Sequence, residues 1–184
     1  SSGDAGVYGL AGLALETLSG EDLREIDFEV IPGITAASSC AALLGAPLSH
    51  DFAVISLSDL LTRRELIEKR VRLAAEGDFV IALYNPRSAK RKDLLEWTRD
   101  RLLETRGPDV PVGLVRDAGR PEEWVRVTNL GELPELYGEI DMGTTVIIGN
   151  SRSYRKGRFI VTPRGYGERL TNAPHSAYPE GEGE

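Results

Sequence analysis

The sequence predicts an α/β protein built on a mixed sheet. Three observations predict it: short apolar runs rich in β-branched residues recur along the chain, helical patterns separate the early runs, and the last third keeps the strands but loses most of the helices. Strands that alternate with helices pair in parallel with the helices packed on the sheet, and ligands in such folds sit beyond the carboxyl ends of the strands. Strands that follow one another without long helices favour antiparallel additions.

In order, strands are expected over residues 28–31, 52–57, 79–84, 110–115, 125–128, 144–148 and 159–161. Helices are expected over 7–18, 36–44, 65–76 and 90–105, the last with Leu94, Leu95, Trp97, Leu102 and Leu103 mostly on one face. The stretch GAPLSH at 45–50 breaks the second helix with glycine and proline, so a boundary is expected there. Residues 1–49, with one strand and two helices, are too few for an independent lobe; 50–166 form a second lobe. Glycine, proline and glutamate dominate 167–184, which reads as a flexible tail.

Composition narrows the function. With 184 residues, 41% of them hydrophobic, the chain can bury a good core. No apolar run approaches the roughly 18 residues a membrane helix needs, and no basic segment followed by an apolar stretch opens the sequence, so the cytoplasm is the expected compartment. The single cysteine, Cys40, lies in the apolar run SSCAALLGA and reads as a core residue; one thiol excludes an intramolecular disulfide and a multi-cysteine zinc cluster, and no metal site is expected. A net charge of -7 argues against a nucleic-acid partner. Arginines nevertheless cluster after expected strand ends, among them Arg63, Arg87, Arg116 and Arg152, where a planar guanidinium, which grips carboxylate or phosphate, suits a polyanionic small ligand.

Three loops carry candidate chemistry. The opening SGDAGVYGLAG spaces its glycines by three, which is neither the dinucleotide fingerprint nor the phosphate-binding P-loop, and Asp4 is placed to cap the helix that follows. Glycines at this spacing also suit a tight helix–sheet contact, so packing and binding both remain open on spacing alone. IPGITAASS turns at Pro32 and Gly33 and offers Thr35 as a cap. ALYNPRSAKRKD ends a strand at Asn85, which its proline neighbour biases away from helical geometry. Three loops following strands in one direction suggest a cleft.

These stretches also resemble a known family. SGDAGVYG, PGITAA, LGAPLSHDFAVISLSD, ALYNPRS, VRDAGR and TTVIIGNS occur in the order shown by the tetrapyrrole (corrin/porphyrin) methylases, and ISLSDLLT with LYNPRS looks most like the branch that methylates C17 of precorrin-3B or cobalt-precorrin-3. The resemblance, covering residues 1 to about 166, implies two α/β lobes with mixed sheets, the amino-terminal one incomplete, because the family's glycine-rich GxGPG loop should precede the Gly-Asp signature. It implies S-adenosyl-L-methionine between the lobes, the tetrapyrrole across the mouth, and a homodimer acting in cobalamin biosynthesis with ring contraction. Cofactor contacts carry over to Gly3, Asp4, Val7, Thr35, Ala36, Leu83, Tyr84, Asn85, Ala118 and Thr144. Ala5 stands where the wider family has proline. Ring contraction needs proton transfers, for which His50 and Asp59 are the candidates, with Asp51 and Ser58 beside them. Arg63, Arg87, Arg116 and Arg152 are the expected grips for substrate carboxylates. Two other readings stay open: another corrin-pathway C-methyltransferase, and a non-catalytic remnant that binds a partner or a tetrapyrrole.

Overall fold

The computed structural model describes residues 3–88 and 91–166. The expected tail, 167–184, and the start of the expected helix at Lys90 lie outside the described residues. The chain is mixed α/β. Its centre is a five-stranded sheet in the order β2-β3-β6-β4-β5, built from β2 (Phe52–Ser56), β3 (Val80–Tyr84), β4 (Pro111–Arg116), β5 (Trp124–Asn129) and β6 (Thr144–Ile148). Only β2 and β3 run parallel; β6 is antiparallel to β3 and to β4, and β5 is antiparallel to β4. A second, three-stranded sheet joins β1 (Gly45–Ala46), β8 (Phe159–Val161) and β7 (Tyr154–Lys156).

Helices cover both faces of the central sheet. On one face lie α4 (Arg64–Glu76) and α5 (Asp93–Arg106), which bury Ile67, Val71, Ala74 and Ala75, and Leu94, Leu95, Thr98 and Leu102, at helical spacing. The buried Thr98 hydroxyl donates back to the Leu94 carbonyl at 2.7 Å, so the helix carries no unpaired polar group there. On the other face lies α3 (Ala36–Leu44), whose small residues Ala37, Cys40 and Ala41 allow a close approach and whose Leu44 is fully buried. Leu44 stands over Gly113 of β4; a Cβ on that glycine would come within 2.3 Å of a Leu44 methyl.

Strand alternation sorts the sheet residues between the two cores. Val80, Ala82, Tyr84, Val115 and Ile147 face α3, and Ile81, Leu83, Leu114, Val146 and Ile148 face α4 and α5. Covered on both faces, β3 and β6 are buried throughout, which is why both read as unbroken apolar runs.

The expected helices appear as α1 (Leu10–Thr17), α3, α4 and α5, with a short α2 (Asp22–Glu25) that the sequence did not announce. One expected strand does not form: residues 28–31 belong to no helix or strand and pair with no strand among the described residues. The α1 helix buries no side chain among the described residues. The turn at 45–50 does follow α3, but α3 itself packs on the sheet of residues 52–148 and β1 pairs with β8.

Candidate functional site

Register decides which loops meet. Because β6 and β4 run opposite to one another and β6 opposite to β3, the carboxyl ends of β2, β3 and β4 share one edge with the amino ends of β5 and β6. A cleft of about 920 Å³ opens at this edge, on the α3 face, with the loop of residues 3–9 as its opposite wall. Its volume lies in the range of sites that enclose a small molecule.

The wall is stitched together by one carboxylate. Asp4 accepts from the Gly6 amide at 2.8 Å and, across 29 residues, from the Gly33 amide at 2.9 Å. Chiefly the Gly33 amide, then those of Gly6 and Val7, hold the Asp4 carboxyl below its ordinary value. A lowered folded value means that what these bonds contribute is present above the unfolded value and is lost as pH falls through the lowered one. The stitch is therefore intact across the neutral range. Asp4 was expected as a helix cap; instead Gly9 precedes α1 without a side-chain cap, and the carboxylate joins two loops.

The floor is organised by Tyr84, the last residue of β3. Its phenol oxygen accepts from the Ala37 amide at 2.7 Å, in the first turn of α3, and shares a hydrogen with the Thr35 hydroxyl at 2.7 Å. The Tyr8 ring stands edge-on to Tyr84 with centroids 5.5 Å apart, and its hydroxyl donates to the Val54 carbonyl at 3.3 Å. Tyr84→Phe leaves the buried Ala37 amide without an acceptor and should cost about 1–3 kcal/mol of stability, read by urea unfolding. Unchanged stability would mean that the phenol does not hold α3.

Asn85 follows in the left-handed region (φ 52°), which asparagine tolerates, and its amide donates to the Ser56 hydroxyl at 3.0 Å. Opposite, Asp141 accepts from the Gly143 amide at 2.9 Å and the Thr144 hydroxyl at 3.0 Å, folding the loop that precedes β6 into a tight turn. Ala118 lies between Asp117 and Gly119, both at positive φ.

Nine of the ten residues expected at the cofactor line this one cleft: Gly3, Asp4, Val7, Thr35, Ala36, Tyr84, Asn85, Ala118 and Thr144. The tenth, Leu83, is fully buried and turns its side chain to the other face of the sheet, against α4 and α5. Lining residues without an expected role include Tyr8, Met142 and Gly143. Tyr8 could have been found from its place in the Gly-Asp loop; Met142 carried no sequence signal. Cys40 also reaches the cleft, but burial pushes its thiol up, against a nucleophilic role.

The polar candidates divide by edge. Asp59 stands at the cleft edge, just past β2, paired with Arg91 at 3.1 Å. His50 and Asp51 precede β2 and so sit at the opposite edge; the His50 ring accepts from the Asp51 amide at 2.8 Å and lines no part of the cleft. Arg152 follows β6, whose antiparallel direction carries it to that far edge too. Arg63 is exposed at the start of α4, on the cleft side. Arg116 is there as well, donating to the Glu139 carbonyl at 3.3 Å and to Asp141 at 3.5 Å. Arg87 is turned inward: it stacks on Tyr137 at 4.7 Å, donates to the Tyr137 carbonyl at 2.9 Å and pairs with Glu96 at 3.2 Å.

Among the described residues, no group of three or more histidine, cysteine, aspartate or glutamate side chains could hold a metal ion, and no helix is long and apolar enough to cross a membrane.

Comparison with known proteins places this geometry in a family. Residues 1–134 match the family model described as tetrapyrrole (corrin/porphyrin) methylases. A cobalt-factor III methyltransferase of Priestia megaterium is 51% identical over 93% of this chain and 32% of its own length. A probable cobalt-factor III C(17)-methyltransferase of Salmonella typhimurium is 48% identical over 90% of this chain and 68% of its own. The chain thus spans about a third of the first relative and about two thirds of the second. Among solved structures, the methyltransferase CobJ superposes with a TM-score of 0.79 at 39% identity, covering 89% of this chain and 68% of that one. A uroporphyrin-III C-methyltransferase from Thermus thermophilus, solved with S-adenosylhomocysteine, gives a TM-score of 0.55 at 27% identity, over 80% of this chain and 62% of that one. With the family model matched over most of its length and relatives near half identity, the chain belongs to the tetrapyrrole (corrin/porphyrin) methylases.

Proposed function

We propose that the chain transfers a methyl group from S-adenosylmethionine to C17 of a tetrapyrrole at the precorrin-3B or cobalt-precorrin-3 stage of cobalamin biosynthesis. The observation that carries this reading is the convergence of the Gly-Asp loop, the PGITAA loop, the end of β3 and the start of β6 on one cleft. The cobalt-bearing substrate is favoured, since three relatives at 48–51% identity are named for cobalt-factor III.

The charge of the cleft fits the cofactor. Three carboxylates, Asp4, Asp117 and Glu123, line it against one guanidinium, Arg120. That excess suits a molecule bearing a sulfonium and an ammonium group. S-adenosylmethionine supplies a methyl group already activated by positive sulfur, so the protein's work is alignment and exclusion of water. The backbone of residues 3–7 and 118–119 would hold the cofactor from two sides, with Thr35, Ala36, Tyr84 and Asn85 as the floor. Of the two proton-transfer candidates, Asp59 stands at the cleft edge and takes that role. Arg63 and Arg116 are the candidates for gripping substrate carboxylates. A cytoplasmic homodimer completes the reading, and sedimentation of the purified chain tests its second half.

The deciding experiment is calorimetric titration with S-adenosylhomocysteine, followed by incubation with labelled S-adenosylmethionine and cobalt-factor III. Saturable one-to-one binding and a product heavier by one methylene at C17 are expected. Binding without turnover would favour the non-catalytic alternative, and absence of saturable binding would remove the cofactor assignment.

A further inference from the structure

One side chain without an expected role touches three loops of the cleft edge at once. Arg91 is 10% exposed. Its Nη1 donates to Asp59 at 3.1 Å, and its Nη2 donates to the Asn85 carbonyl at 2.9 Å and lies 3.5 Å from the Met142 sulfur. Asn85 and Met142 line the cleft. Asp59 leads into Leu60 and Leu61, which are 82% and 101% exposed, more than any other large apolar residue described. Its backbone is anchored as well: the Ser88 amide donates to the Arg91 carbonyl at 2.8 Å, and the Arg91 amide donates to the Ser88 hydroxyl at 3.1 Å.

The Asn85 peptide is therefore fixed from two directions. Ser56 holds its side chain and Arg91 holds its carbonyl, while its backbone keeps a positive φ that few residues adopt. A guanidinium forks to two acceptors in one plane, which an ammonium on a flexible stem does not reproduce.

We propose that Arg91 is a positioning residue for the cleft: its fork ties the Asn85 carbonyl and Met142 to Asp59, so that the Leu60–Leu61 loop and the cleft floor move as one body. The proposal rests on the reading that the cleft takes S-adenosylmethionine. Its consequence is that a ligand pressing on the exposed leucines is felt at the cofactor without touching it.

The protein contains its own control. Arg106, the last residue of α5, is a second half-buried arginine beside the same sheet, at the opposite edge, where it donates to the carbonyls of Gly149 at 2.7 Å, Phe79 at 2.6 Å and Ala74 at 3.2 Å. Arg91→Ala and Arg106→Ala should both lower the melting temperature. Only Arg91→Ala should weaken S-adenosylhomocysteine binding, by about tenfold in calorimetry well below both melting points. Arg91→Lys should recover less than half of that loss. Hydrogen exchange gives a readout that needs no cofactor: Arg91→Ala should speed exchange of the amides of both 57–61 and 141–145, and Arg106→Ala neither. Equal weakening by the two alanine variants, full affinity in Arg91→Ala, or unchanged exchange in either loop overturns the proposal. Absence of binding by the unsubstituted chain defeats the cofactor reading instead, and the exchange measurement then still decides whether the loops are coupled.

Discussion

Gly33→Ala is expected to reduce S-adenosylhomocysteine affinity by about 100-fold while leaving the melting temperature nearly unchanged. A Cβ at position 33 would lie 2.2 Å from the Gly3 carbonyl oxygen, 2.9 Å from its carbon and 3.2 Å from the Asp4 Cα. All three are backbone atoms, so no rotamer relieves the contact. The two loops must part by roughly 1 Å to regain ordinary separation. Parting them breaks the bond from the Gly33 amide to Asp4 and moves one wall of the cleft away from Tyr84. The cost falls on binding because residues 28–34 add nothing to either buried core. Calorimetry with the alanine variant checks this, and affinity equal to the wild type would show that the 3–9 wall takes no part in the site.

Leu44→Ala should be the most damaging single change in the α3 layer, at about 2–5 kcal/mol. Leu44 is fully buried, and its methyls fill the space that Gly113 leaves open on β4. Gly113→Val overfills the same space, with its Cβ 2.3 and 2.7 Å from the two methyls, and should cost about 1–3 kcal/mol. Because each change creates the room or the bulk that the other lacks, the double variant should lose less than the sum of the two. Urea unfolding of the three variants measures this, and strict additivity would mean that the two positions do not share a cavity.

The central strands and the longer helices were legible because burial leaves a periodic trace. Residues 80–84 and 144–148 face helices on both sides and run apolar throughout, and α4 repeats its buried residues every three to four positions. Residues 28–31 left the same trace without forming a strand, since an apolar run records burial potential and a ladder also needs a neighbour. The strands β1 and β7 are two and three exposed residues and leave no trace at all.

The cleft that gathers the candidate residues was legible where backbone motifs define it. Direction and face were not legible. Leu83 and Tyr84 are neighbours in sequence, yet period two sends one to each side of the sheet. His50 and Arg152 flank strands as expected, but a flanking position does not reveal which edge it occupies until pairing sets strand direction. Arg87 and Arg91 belong to one basic run, and only their packing shows one stacked on Tyr137 and the other tying the cleft together.

The placement of α3 bears on how the molecule can be dissected. The glycine–proline turn at 45–50 looks like a natural point of division. A cut there, however, would take α3 away from Val80, Ala82, Val115 and Ile147 and leave that face of the sheet open to water. A protein stripped in this way would present a flat apolar surface of the kind that drives aggregation. Residues 27–35, in no helix or strand and outside both buried cores, are the place where division keeps the sheet covered. Truncation series and protease-trimming experiments on this chain should therefore place their boundary before Ala36.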